Sequence, residues 1–200
     1  MFQHGLVLEA KSLACERGGR LIFKDINFTL NSGEALELRG PNGSGKSSLL
    51  RLLAGLNQPV SGSINLNTTA SIAENAHYIG HNEAVKSALT VSENLCFWQS
   101  FLGASGETSL QAFKLEKLSD DETRLLSQGQ RRRLALSRLV AIKRSIWLLD
   151  EPTVGLDQSA LVDLTFEMKS HLESGGMIIA ATHGALGIKG SKQLQLAQTP

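Results

Sequence analysis

The chain has 200 residues, a length that fits one domain or two small lobes of one domain. Its 20 Lys and Arg nearly balance its 19 Asp and Glu, and the resulting net charge of +1 argues against a polybasic nucleic-acid binder, so no nucleic-acid partner is expected. Hydrophobic residues make up 42% of the chain, enough for a buried core, but the longest apolar runs fall far short of the ~20 residues that cross a bilayer.

The ends of the chain and its cysteines add little chemistry. The first residues lack a basic segment followed by a long apolar one, so we expect no secretory signal. Cys15 and Cys96 lack metal-ligand spacing, and we expect both to be reduced thiols of a cytosolic protein.

The first third of the chain predicts strands followed by a loop and a helix. Residues 6–13 and 21–30 are predicted strands on either side of a turn at 17–19, and residues 35–38 form a third. A glycine-rich segment follows, and the leucines after it are spaced for a helix. Residues 57–70 are rich in Asn, Ser, Gly and Thr, which predicts turns and short edge strands.

The rest of the chain predicts helices and two buried strands. Residues 82–143 are predicted to be mostly helical, with a polar interruption around 103–108. The apolar runs at 146–149 and 177–181 are typical of buried parallel strands, and residues 161–172 predict a helix between them. No element is predicted after residue 187.

The glycine-rich segment fits the pattern G-x-x-x-x-G-K-[ST] between a strand and a helix. Its glycines let backbone N–H groups surround a phosphate, which the start of the following helix also attracts. Lys46 would reach the β- and γ-phosphates, and the Ser47 hydroxyl would coordinate Mg²⁺. An incidental Gly/Ser turn is the alternative, which the complete motif and its flanks disfavour. The predicted nucleotide-binding residues here are Gly40, Pro41, Asn42, Gly43, Ser44, Gly45, Lys46, Ser47 and Ser48.

Two acidic residues follow the apolar run at 146–149. Functional residues of open α/β sheets gather beyond the carboxyl ends of parallel strands. Asp150 is therefore expected to hold the metal through water, and Glu151 to polarise the attacking water. The alternative is a solvated strand end, which is disfavoured because a phosphate loop lies upstream and Pro152 stops the strand at once.

A third signal is the segment Leu-Ser-Gln-Gly-Gln at 126–130, which heads an amphipathic helix over 131–142. The Ser127 hydroxyl and the free N–H groups of a helix start form a second phosphate-binding feature. A plain N-capped helix is the alternative for this segment taken alone. The arginines at 131–133 are interpreted as a solvated face of that helix.

Together these segments resemble the ATP-binding-cassette (ABC) ATPase family over essentially the whole chain. Residues 40–47 match its Walker A loop, 126–130 its LSGGQ signature and 146–152 its Walker B strand with the catalytic glutamate. Residues 155–157 stand where the family has its D-loop, and His183 matches its switch histidine. The resemblance implies a single ABC ATPase domain over 1–200, an α/β P-loop NTPase with a RecA-like core, an antiparallel β-subdomain and a helical subdomain at about 83–145.

The same resemblance implies an ATPase that pairs head to tail with a second copy of itself. Glu151 and His183 are then catalytic, and ATP and Mg²⁺ are bound. The nucleotide of one copy lies against the signature of the other. The implied signature residues are Ser127, Gln128, Gly129 and Gln130, and the implied metal ligands are Ser47, Asp150 and Asn82.

Three positions depart from the family pattern. Gln128 replaces the first signature glycine, which is tolerable if the position does not require a positive φ. Arg17 stands where an aromatic residue normally stacks on adenine, and its guanidinium is expected to stack there. Asn82 replaces the Q-loop glutamine with a shorter amide. His77 and His81 are disfavoured as a metal site because a third ligand at credible spacing is missing.

Short strings at 15–17, 78–82 with 85–86, and 130–133 resemble the ATP-binding subunits of haem exporters that serve cytochrome c maturation. This implies transmembrane transporter partners, a peripheral location on the cytoplasmic face of the bacterial inner membrane, and no regulatory domain in so short a chain. An exporter of lipid, drug or peptide remains an alternative, because a nucleotide-binding domain does not contact the cargo. A soluble ABC ATPase is less expected, since those usually carry two cassettes or an inserted coiled coil, and the pair Glu151 and His183 disfavours an ATP sensor.

Overall fold

The computed structural model describes residues 5–103, 110–184 and 186–197. The predicted polar interruption around 103–108 falls almost entirely outside these residues. The described strands form two sheets, an antiparallel one in the order β2-β1-β4 and a parallel one in the order β5-β6-β7-β3-β8. The strands are β1 (Val7–Arg17), β2 (Arg20–Asn31), β3 (Ala35–Arg39), β4 (Ser61–Leu66), β5 (Ala76–Ile79), β6 (Ile146–Asp150), β7 (Met177–Ala181) and β8 (Lys192–Gln195).

Helices alternate with the strands of the parallel sheet. Between the third and fourth α-helices the described residues carry only three single 3-10 turns, at Gln111–Phe113, Glu116–Leu118 and Thr123–Leu125. The α-helices are α1 (Lys46–Leu53), α2 (Ile72–Asn75), α3 (Val91–Phe101), α4 (Gln128–Ala141) and α5 (Gln158–Glu173). None of the helices in the described part of the chain is both long and apolar enough to cross a bilayer.

The chain divides into two compact units. The first comprises residues 1–80, 144–152 and 169–200 and holds both sheets together with α1 and α2. The second comprises residues 81–143 and 153–168 and holds α3, α4 and most of α5. The predicted fold class, an α/β fold with a parallel core sheet and an antiparallel sheet, is confirmed.

The core of the first unit forms around α1. All five residues of β6 and all five of β7 are buried, as the apolar runs predicted, and α1 packs on these two strands. Leucines of α1 pack in the same cluster as residues of the antiparallel sheet such as Leu8 and Phe23. This packing fixes where β3 ends and α1 begins, and hence the shape of the loop between them. The leucines of α1 in this cluster are Leu49, Leu50, Leu52 and Leu53.

An aromatic stack lies among the buried residues of the first unit. The His171 ring stacks on the Trp147 ring, with centroids 4.0 Å apart and planes inclined by 15°. Gly176 lies against the same imidazole, since a Cβ there would meet His171 Nε2 at 2.3 Å. Burial lowers the pKa of His171 to about 4, against the smaller opposing effect of the Met177 and Ser145 carbonyls. The imidazole is therefore neutral at physiological pH.

Candidate nucleotide-binding and catalytic site

The phosphate loop joins β3 to α1, as predicted. Gly40 has a φ of +145°, and a Cβ there would lie 2.3 Å from the Leu196 carbonyl oxygen. Gly45 is the N-cap of α1 in the left-handed region, with a φ of +96°, and a Cβ there would lie 2.7 Å from Ile22 and 2.8 Å from Phe23. Both positions require glycine, because the backbone conformation and the neighbouring chain exclude a side chain.

The loop brings a cation and unsatisfied donors to one place. Lys46 is buried, and its Nζ donates to the carbonyl oxygens of Gly40 at 2.8 Å and Pro41 at 3.1 Å. Gly45 offers no side chain to cap α1, so the first N–H groups of that helix are available to an anion. Among the described residues, the buried Ser44 hydroxyl also has no hydrogen-bond partner. The loop therefore has the donors that a polyphosphate requires.

Oxygen ligands suited to Mg²⁺ lie in the same unit. Ser47 belongs to the first turn of α1, and Asp150 is the buried last residue of β6. The described residues contain no cluster of three or more His, Cys, Asp or Glu able to hold a metal. Mg²⁺ does not need one, because it usually takes one or two protein oxygens and fills its shell with phosphate and water. A hydroxyl and a carboxylate fit that requirement.

Glu151 is held in an unusual conformation beside His183. Its φ of +49° lies in the left-handed region, which costs a non-glycine residue about 1–3 kcal/mol. Its N–H donates to the carbonyl of Ala181 at 2.9 Å, which ties it to the end of β7. His183 Nε2 lies 3.5 Å from Glu151 Oε1, and the histidine is exposed while the glutamate is mostly buried. The structure thus brings together the two residues predicted to be catalytic.

The predicted signature segment begins α4. Ser127 is its N-cap, and the Ser127 hydroxyl accepts from the N–H of Gln130 at 3.2 Å. The Gln130 side chain in turn accepts from the Ser127 N–H at 2.8 Å, which completes a capping box. Gln128 is the first helical residue and has no positive φ, which is the condition under which its side chain is expected to be tolerated.

The start of α4 lies close to the segment that follows Pro152 in the second unit. A Cβ on Gly129 would come within 3.2 Å of the Gly155 carbonyl, so this helix position favours glycine. Arg133 forms an ion pair with Asp157, whose carboxylate also accepts from the Ala160 N–H at 2.9 Å. The Ala160 N–H and then Arg133 hold the pKa of the Asp157 carboxyl below its ordinary value. The helix that begins with the signature therefore contacts the predicted D-loop directly.

Arg17 and Asn82 are both exposed residues. Arg17 is the exposed last residue of β1, at the end of a hairpin whose second strand contacts the phosphate loop through Ile22 and Phe23. Asn82 is exposed in an irregular segment of the second unit. Ser47 and Asp150 belong to the first unit.

Residues 23–154 match the family described as ABC transporter. The chain is 49% identical over 187 residues to the cytochrome c biogenesis ATP-binding export protein CcmA of Nitrobacter winogradskyi, an alignment that covers 90% of this chain and 94% of the relative. It is 46% identical over 195 residues to the protein of the same name from Bradyrhizobium diazoefficiens, with 94% and 97% covered.

Solved structures share the fold at lower sequence identity. An ATP-binding subunit of an ABC transporter superposes with a TM-score of 0.86 at 23% identity, covering 97% of this chain and 88% of its own. A dimeric ATP-binding cassette in a post-hydrolysis state, bound to ADP and Pi, superposes with a TM-score of 0.80 at 21% identity, covering 96% and 97%. These likenesses establish the fold.

Proposed function

This chain belongs to the ABC transporter family, and from that membership we propose that it is the ATP-hydrolysing subunit of the exporter that supplies haem for c-type cytochrome biogenesis. The observation that supports hydrolysis is the geometry at the strand ends, where Glu151 and His183 lie side by side in the unit that carries the phosphate loop. The identity of 49% to a cytochrome c biogenesis export protein supports the biological role.

Hydrolysis in this proposal depends on positioning and charge stabilisation, which dominate phosphoryl transfer. Lys46 and the N–H groups at the start of α1 bind the β- and γ-phosphates, and Ser47, Asp150 and Asn82 hold the metal. Bound Mg²⁺ neutralises charge on the phosphate oxygens. Glu151 accepts a proton from the attacking water, and His183 orients that carboxylate and the terminal phosphate.

The complete site requires two copies of the chain. Ser127, Gln128, Gly129 and Gln130 are proposed to contact the nucleotide of the opposite copy, since the start of a capped helix attracts phosphate. The expected remaining partners are transmembrane transporter subunits, which place the protein on the cytoplasmic face of the inner membrane. Arg17 is proposed to stack on adenine, and residues 1–200 to act as one ATPase domain with a helical subdomain at about 83–145.

The first experiment replaces Glu151 with Gln. This substitution removes the proton acceptor but keeps the side-chain shape, so ATP binding is expected to remain while turnover falls at least about 100-fold, as for loss of a general base. ATP binding and hydrolysis by the purified chain with its membrane partners are the measurements. Lys46→Ala is the contrasting variant, and it should lose both. Turnover of Glu151→Gln at the parental rate would refute the catalytic assignment.

The second experiment tests the cargo in cells that carry Glu151→Gln as the sole copy. Apocytochromes should still be made and exported but should lack covalent haem, while b-type cytochromes, whose haem is not covalently attached, remain normal. Haem-stained gels of membrane and periplasmic fractions give the result. Normal c-type cytochromes would reject haem supply and favour a lipid, drug or peptide cargo, and they would leave the ATPase assignment standing.

A further inference from the structure

An ion pair with a buried carboxylate lies on β3 immediately before the phosphate loop. The Glu37 side chain is only 4% exposed, and its Oε2 accepts two hydrogen bonds from the Arg39 guanidinium, one of them from Nε at 3.1 Å. Glu37 Oε1 accepts from the Ser191 hydroxyl at 2.9 Å. Both carboxylate oxygens are therefore committed, and the guanidinium is held on one side of the strand.

The free end of that guanidinium reaches the segment of the switch histidine. Arg39 Nη1 donates to the carbonyl of His183 at 3.0 Å and approaches the carbonyl of Thr182 at 3.5 Å. The Thr182 hydroxyl also accepts from the Gly184 N–H at 3.2 Å. Arg39, which ends β3 and precedes Gly40, thus fixes the backbone of His183. The His183 imidazole lies beside Glu151.

Stability alone is a weak reason for this arrangement. Burying the Glu37 carboxylate and most of the Arg39 side chain carries a desolvation cost that often offsets their attraction, so apolar residues in place of such pairs are frequently neutral or stabilising. What an apolar pair cannot supply is a planar donor that binds a carboxylate and a backbone carbonyl at the same time. The pair is better explained by the geometry that it imposes on the backbone of Thr182 and His183.

We propose that Arg39 is a positioning residue for ATP hydrolysis: fixed by Glu37, it holds the His183 backbone so that the imidazole stays beside Glu151. The inference rests on the proposed ATPase function. Arg39 acts through His183, and Ser191 supports it by fixing the second oxygen of Glu37.

The central test is the paired variant Glu37→Leu/Arg39→Met, which removes both charges and keeps the site filled. Its melting temperature should equal or exceed that of the parent, while kcat falls about tenfold because the reacting groups are misplaced. The KM for ATP should change less than twofold, since the phosphate loop is untouched. Arg39→Lys keeps the charge without the planar fork and should lose part of kcat. Parental kcat in a folded paired variant overturns the proposal.

Lys192→Gln is the matched control. Lys192 also bridges a carboxylate and a carbonyl in the same unit, bonding Glu34 at 2.6 Å and the Thr29 oxygen at 3.2 Å, but it does not touch the His183 segment. Its loss should leave kcat at the parental level. A kcat reduced as far as in the Arg39 variants would show that any lost ion pair has this effect, and would overturn the proposal.

A spectroscopic readout separates this inference from the function on which it rests. The imidazole ¹H–¹³C signals of His183 should shift in the paired variant, and those of buried His171 should not. If the parent has no ATPase activity but the His183 signals still shift in the paired variant, the ATPase function is refuted and the contact between Arg39 and the His183 segment is supported. An active parent with unchanged His183 signals in the paired variant would refute the positioning role alone.

Discussion

The buried imidazole of His171 predicts a measurable loss of stability in mild acid. Its pKa of about 4 in the folded protein lies below the ordinary value of about 6.5 expected for the unfolded chain. Protons therefore bind the unfolded state first, and the stabilisation present above pH 6.5 declines as the pH falls towards 4. The whole effect is about 3 kcal/mol, and about 2 kcal/mol of it is lost between pH 7 and pH 5.

Urea unfolding at several pH values between 7.5 and 5 measures this effect. His171→Phe keeps an aromatic ring on Trp147 but cannot titrate. The free energy of unfolding of the parent should therefore fall by about 2 kcal/mol more between pH 7 and pH 5 than that of the variant. The lost hydrogen bond to Met177 shifts its stability by about 1 kcal/mol at every pH and leaves the slope unaffected. Identical slopes for the parent and His171→Phe would refute the reasoning.

Two other predictions concern the site. Gly45→Ala should lower the free energy of unfolding by more than about 2 kcal/mol and weaken ATP binding, because backbone strain in the left-handed region adds to overlap with Ile22 and Phe23. Gly18→Ala is the control, since Gly18 has a φ of +58° and a Cβ there would meet nothing within 4 Å. In the same denaturation assay it should show the cost of the backbone strain alone. A mixture of Lys46→Ala and Ser127→Arg chains should partly restore ATP-dependent dimer formation, because one of the two composite sites in a mixed dimer carries neither defect. Size-exclusion chromatography with ATP measures the fraction of dimer, which either variant alone should lack. Failure of the mixture to restore ATP-dependent dimer formation would count against signature contacts between copies.

The motifs with fixed spacing could be predicted because each couples a backbone requirement to residue type. The phosphate loop, the two buried strands and the start of α4 were found in this way. The stretch 82–143, predicted to be mostly helical, instead holds two α-helices separated by single 3-10 turns in its described part. The strand β8 escaped prediction because its Lys-Gln-Leu-Gln sequence pairs only with β3 at the sheet edge and offers no apolar run. The residues between α3 and α4 bury Phe113 and Leu115 through short turns that have no helical period.

The side-chain connections within the site needed the structure. Glu37 and Arg39 alternate with leucines and read as ordinary strand residues, and nothing local indicates that Arg39 bonds a carbonyl 144 residues away. Gln130 was a detectable exception, since Ser-x-x-Gln before an apolar helix is a capping-box pattern. The positive φ of Glu151 could not be read from sequence, because glutamate has no preference for that region.

The positive φ of Glu151 means that the residue which favours stability at this position differs from the residue which catalysis requires. Glycine or asparagine adopts the left-handed conformation at lower cost, so replacing Glu151 with either is expected to make the chain more stable by about 1 kcal/mol while it removes the proposed base. A change to glycine or asparagine is thus favoured by folding and opposed by the need for hydrolysis. A screen of variants of this protein for yield or heat resistance alone is therefore expected to select replacements of Glu151 early. The selected protein would be more stable and would not hydrolyse ATP.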